Sequence, residues 1–150
     1  MKKQIGTKDI KEYIANQIRL LNNIGVVHDR NKLPKTSGEF KTLFEYDGRV
    51  QGWVITRSGL GGKVLNASFL KIPETYLIVT FFGFSDSNDS ETSFDASIDR
   101  VYDIFARDTN LGGLVANITS LSVPEYTLIK VGDIYSHYAE IVLDIERFRQ

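Results

Sequence analysis

The sequence predicts an α+β domain, two amphipathic helices packed on a mostly antiparallel sheet in the order helix, strands, helix, strands. Three observations carry this expectation. Two segments repeat apolar residues at helical spacing, one near the start and one in the middle. The pair Asp47-Gly48 separates two segments of strand-like composition. The run TYLIVTFFGF at 75–84 is nearly continuous in β-branched and aromatic residues. A chain of 150 residues, 42% hydrophobic, suits one domain with its own core.

The first helix is expected from about Lys8 to Asn23. Thr7 suits its N-cap, Asp9 its first turn and Gly25 its C-terminal stop, while Ile10, Tyr13, Ile14, Ile18 and Leu21 form one face. Residues 28–39, with Pro34 and Gly38, suit a loop. FKTLFEY and RVQGWVITR then read as a hairpin around a type I′ turn at Asp47-Gly48. That register sets Phe44 opposite Gln51 and Thr42 opposite Trp53. One face would hold Phe40, Phe44, Tyr46, Trp53 and Ile55, with Arg49 and Arg57 at its ends, and the other Leu43, Val50 and Val54.

Residues 58–73 form a glycine-rich connector into the 75–84 run, which reads as a central strand covered on both faces. The polar stretch 85–93 leads into a second helix, from about Ser93 to Arg107. Thr92-x-x-Asp95 approximates its capping box, and Phe94, Ile98, Val101, Tyr102 and Phe105 lie on one face. LVANITSLSV, ending before Pro124, and EYTLIKV read as two short strands. The final strand, Tyr135 to Phe148, points Ala139, Ile141, Leu143 and Ile145 one way and Glu140, Asp144 and Glu146 the other.

Function classes fall away one at a time. With 18 basic and 19 acidic residues the net charge is −1, so charge gives no support for a nucleic-acid partner. The basic groups Lys2, Lys3, Lys8, Lys11 and Arg30, Lys32, Lys35 lack interleaved aromatics. Cysteine is absent, which removes disulfides and thiol chemistry. Lys2 and Lys3 are followed by Lys8, Asp9, Lys11 and Glu12 rather than an apolar run, so no secretory leader and no membrane association are expected.

The chemical motifs fail at named positions. The glycine loop Gly59-Leu60-Gly61-Gly62-Lys63 has Arg57 where a phosphate loop needs its first glycine, and Val64 where it needs Ser or Thr. Val64 also stands where a dinucleotide fingerprint needs its third glycine. The stretch from Asp86 through Asn88 and Ser90 starts like a calcium loop, yet Glu91 and Ser97 occupy the positions of its glycine and final glutamate. His28 and His137 have no partners at zinc spacing. No G-x-S-x-G elbow occurs, and Asp95 with Asp99 suits a solvated helix face. No catalytic residue, cofactor or metal is therefore expected.

Three features carry a family resemblance: the opening amphipathic helix, the hairpin segment Gly52-Trp53-Val54-Ile55-Thr56-Arg57, and the closing strand from Ser136 to Glu146. Together with the element order, they make the chain resemble the tail terminators and related head–tail joining proteins of tailed bacteriophages. The resemblance implies a non-enzymatic subunit of a homo-oligomeric ring, commonly of six. Such a ring caps the tail tube protein and meets a head-completion protein, with DNA passing through its bore. It implies a place in the virion after assembly in the host cytoplasm. On this reading Glu140, Asp144 and Glu146 are candidates to line the bore. Trp53, Arg57, Leu60 and Lys63 are candidates for the subunit interface, and segments 28–39 and 58–73 would order on contact. An accessory protein of a secretion or contractile injection system would share this architecture. The alternative is a ligand-binding or enzymatic domain using Phe40, Phe44, Tyr46 and Trp53 around a pocket, with Arg49 or Arg57 holding an anion.

Overall fold

A computed structural model describes residues 5–32, 34–60 and 71–148. The architecture is α+β. In chain order the elements are α1 (Thr7–Arg19), β1 (Val26–His28), α2 (Ser37–Phe44), β2 (Glu45–Tyr46), β3 (Arg49–Leu60), β4 (Lys71–Gly83), α3 (Ser90–Arg107), β5 (Asn117–Val131) and β6 (Ile134–Phe148). The sheet runs β1-β3-β4-β6-β5, with β2 paired to β3 beside this path. β1 is parallel to β3 and the other pairs are antiparallel.

The two faces of the sheet carry separate cores. On the first, α1 and α3 bury Ile10, Ile14, Ile18, Phe94, Val101 and Phe105 against Trp53, Ile55, Tyr76, Ile78, Ala139, Ile141, Leu143 and Ile145. On the second, α2 lays Phe40 and Phe44 over Val50, Val54 and Phe81. The outlook of β6 is the one its alternation predicts, because one-sided burial fixes register.

α1 is shorter than expected. It begins after Gly6, whose N–H donates to the Asp9 carboxylate at 2.8 Å, and ends at Arg19. Asn23 (φ 56°) and Gly25 (φ 98°) then turn the chain into β1, a strand not expected from the sequence, whose last residue, His28, is the first of the segment expected as a loop. The hairpin expectation is half right. Asp47 and Gly48 both have positive φ, as a type I′ turn needs, but only Glu45–Tyr46 pairs with Arg49–Val50. The rest of the first arm, Phe40 to Phe44, belongs to α2, whose first turn from Ser37 falls in the segment expected as a loop, so Phe44 is not opposite Gln51, nor Thr42 opposite Trp53. Thr36 caps the helix, its hydroxyl accepting from the Glu39 N–H at 3.1 Å, and Glu39 answers by accepting from the Lys35 N–H at 2.7 Å.

β4 is central, as expected, although its second face is closed only at the Phe81 end; Thr75, Leu77 and Val79 are half-buried. α3 starts three residues early, capped by Asp89 (φ 50°), which accepts from the Thr92 N–H. The two short strands expected around Pro124 are one strand, β5. Pro124 sits within a register irregularity between Ser122 and Glu125, which the free edge of a sheet tolerates.

Long-range polar contacts tie the layers together. The Trp53 indole N–H donates to the Ile24 carbonyl at 2.7 Å. The Tyr13 hydroxyl donates to Asp108 at 2.5 Å, and its pKa is pushed up to about 12 by burial and then by that carboxylate. Arg147 pairs with the buried Glu74 at 2.7 Å and donates to the Ile5 carbonyl, while the Tyr76 hydroxyl also donates to Glu74.

Candidate functional site

The second face of the sheet is only partly covered. Among the described residues α2 alone packs there, across the end of the face that holds Val50, Val54, Phe81, Tyr138 and Val131. Away from it β4, β6 and β5 lie open. Thr56, Leu77, Val142 and Ser122 form one row across four strands, none of them buried. The carboxylates gather on the β6–β5 side of this open face. Glu140, Asp144 and Glu146 alternate along β6, and the sheet register places Glu125 directly opposite Glu140.

Two of these carboxylates are held in place. Glu140 accepts from the Tyr138 hydroxyl at 2.7 Å, and Asp144 accepts from the Thr75 hydroxyl at 2.5 Å. Tyr138 is held protonated well above the ordinary tyrosine range, by burial first and then by Glu140 and Glu125. Like charges directly opposed on paired strands are unfavourable. Of the four, Glu125 was not foreseen, because Pro124 hides the continuity of β5 that sets its register.

A second polar constellation lies on the first face, at the start of α3. Ser90 and His137 are both buried, and the Ser90 hydroxyl meets His137 Nε2 at 2.8 Å while accepting from the Ser85 N–H. Phe94 stacks on the imidazole with centroids 5.2 Å apart, and Phe84 lies 5.5 Å away. Burial lowers the His137 pKa, against the opposing pull of Glu91 and Asp95. With Ser90 enclosed at 4% exposure, the pair seals the α3–β6 junction rather than offering a nucleophile to solvent.

A notch opens where β4 ends. Beyond Gly83, β3 and β6 continue on either side, and Lys41, Glu45, Arg49, Val50, Phe84 and Tyr135 help to line a cavity of about 240 Å³. This is below the roughly 300–1,000 Å³ usual for small-molecule sites. The Arg49 guanidinium lies 4.9 Å from the Phe82 ring centroid.

The expected interface residues separate. Trp53 is 1% exposed and belongs to the first core, so its side chain cannot meet a neighbour. It is there because its odd position on β3 faces α1, where its N–H finds the Ile24 carbonyl. Arg57 is exposed and donates to the Thr7 hydroxyl at 3.1 Å. Lys63 and the side chain of Leu60 lie outside the described residues, as does most of the 58–73 connector. The aromatic face proposed for ligand binding does not exist as one surface. Phe40 and Phe44 lie on the second face of the sheet, and Trp53 on the first.

The remaining candidates are placed separately. His28 contacts the Leu43 carbonyl at 2.8 Å, far in sequence from His137. Asp95 accepts from the Tyr126 hydroxyl, and Asp99 is exposed. Among the described residues no three histidine or carboxylate side chains converge as a metal-ligand set. No described helix is long and apolar enough to cross a membrane.

No protein-family model matches the chain, and no curated protein matches it. One solved structure, of a protein whose name states no function, aligns over 93% of this chain and 92% of its own at 12% identity and a TM-score of 0.47. A likeness at that level carries no functional argument.

Proposed function

We propose that the chain is a structural subunit of a homo-oligomeric ring of the tail-terminator or head–tail joining kind. Such a ring stops growth of a phage tail tube and joins it to the head. The observation that carries this reading is the open, acidic half of the second sheet face. Glu125, Glu140, Asp144 and Glu146 lie there with no basic partner within ion-pair reach among the described residues. A surface shaped only for the stability of a lone subunit would alternate charges across strands. A wall of carboxylates instead repels phosphate over roughly 8 Å at physiological ionic strength, which suits a bore that DNA must pass without adhering.

The test combines native mass spectrometry with negative-stain images at rising protein concentration. Closed rings with the β6–β5 face turned inward are expected. A strict monomer at all concentrations, or rings with those carboxylates on the outer rim, would overturn the reading. The ligand-binding alternative retains one favourable observation, the notch beside Lys41 and Arg49. An occupied notch in a monomeric protein would favour it.

A further inference from the structure

Large apolar side chains are exposed unevenly. Phe84 (45%), Tyr126 (46%), Leu128 (51%) and Tyr135 (56%) all lie at one corner of the first sheet face, near the free edge formed by β5. They are one patch because His137 sits beneath them. Leu128 is its cross-strand partner, Phe84 contacts its ring, and Tyr126 packs on Phe94, which stacks on the same imidazole. Tyr135 adjoins through its carbonyl, which accepts from the Phe84 N–H at 3.0 Å. Exposed apolar clusters of this kind mark contact sites rather than ordinary surface.

Among the described residues the most exposed large apolar side chain lies elsewhere. Leu20 (75%) follows the last turn of α1, the helix that packs over β1 and β3 at the other edge of the sheet. Its neighbour Arg19 is exposed and, among the described residues, bonds only to neutral oxygens, those of Asn16 and Val27. The α3 side of the aromatic corner, beside Tyr126, is bordered by exposed Glu91 and Asp95, while on the opposite side Lys130 lies over the Tyr135 ring at 5.3 Å and Lys41 and Arg49 line the notch with Phe84. Arg19 beside an apolar knob thus complements the two carboxylates on the α3 side of the corner.

We propose that the Phe84–Tyr126–Leu128–Tyr135 corner of one copy receives Leu20 of a second copy, with Arg19 set against Glu91 and Asp95. The inference rests on the ring reading above and names its interface. Unlike patches near opposite sheet edges make a heterologous contact, the kind a cyclic ring requires. Each end of a growing chain keeps one knob or one corner free, so the contact propagates, and it ends in a ring when its rotation closes. Strand-to-strand pairing through β5 is disfavoured by Pro124 and the two register irregularities that interrupt its edge.

The test uses Leu20→Asp and Leu128→Asp, alone and mixed, in sedimentation velocity, with circular dichroism to verify the fold. Wild type is expected to form rings and each variant alone to remain monomeric. An equimolar mixture is expected to give one-to-one heterodimers, because only one intact knob and one intact corner remain to meet. Rings from either variant alone, or a mixture of folded variants that stays monomeric, would overturn this interface while leaving the ring reading in place. Wild type that never associates would overturn both.

Discussion

The Phe44 ring lies on the bare backbone of Gly52: a Cβ at position 52 would stand 2.3 Å from Phe44 Cδ1. Gly52 therefore acts as the seat of α2. The helix approaches β3 closely enough to bury Phe40 and Phe44 because that strand presents no side chain there. Gly52→Ala is expected to destabilise the protein by about 1–3 kcal/mol through overpacking. Gly59→Ala, where a Cβ would meet nothing within 4 Å, should change stability by no more than about 0.5 kcal/mol. Urea denaturation of the two variants separates the cases.

The Glu74–Arg147 pair gives a second prediction. Arg147→Met leaves a buried carboxylate uncompensated, and a loss of about 3–5 kcal/mol is expected in the same assay. Adding Glu74→Gln should recover part of it, since the remaining group is neutral. Arg147 also holds the Ile5 carbonyl, so hydrogen exchange at the start of α1 should quicken in the single variant.

Stability should fall in mild acid through His137. Burial holds its imidazole below the ordinary 6.5, so the unfolded chain takes up the proton first. The contribution is complete above about pH 6.5. It declines as pH falls, until the folded imidazole itself protonates. The loss of urea midpoint between about pH 7.5 and about pH 5.5 should be larger for wild type than for His137→Gln. Equal losses would show that His137 does not drive the change.

Glu125→Lys replaces a repulsive cross-strand pair with an attractive one. The isolated subunit should gain about 0.2–1 kcal/mol, less at high salt. If the acidic face lines a bore, the same variant should bind DNA to assembled rings, as read by a gel-shift assay. Unchanged DNA affinity would count against that placement.

Much of the fold is legible where burial is one-sided. β6 and the core faces of α1 and α3 follow from periodicity, because a one-residue slip or a partial helical turn would turn apolar side chains to water. Residues 37–44 show where the pattern misleads. Phe40 and Phe44 suit a strand face beside a good type I′ turn, yet they also stand one helical turn apart. Thr36-x-x-Glu39 was the signal that decides for helix, since it satisfies amides at the helix start. Glu140, Asp144 and Glu146 could be read from alternation alone. Glu125 could not, because its position depends on an irregularity at Pro124 that no local pattern specifies. Leu20 was hidden differently. It falls beyond the true end of α1 but within the helix expected from the sequence, where its exposure looks unremarkable.

β6 has a consequence for synthesis. It lies between β4 and β5 in the sheet, yet it is made after both. Until residues 134–148 leave the ribosome, β4 has one bare edge and β5 has no partner, and the Ala139–Ile145 row of the principal core is missing. The nascent chain therefore holds two unjoined pieces of sheet, a state exposed to pairing with neighbouring chains. Inserting β6 zips both seams at once and, through Arg147, fastens the start of α1. Completion should thus come as one late, cooperative event rather than element by element along the chain.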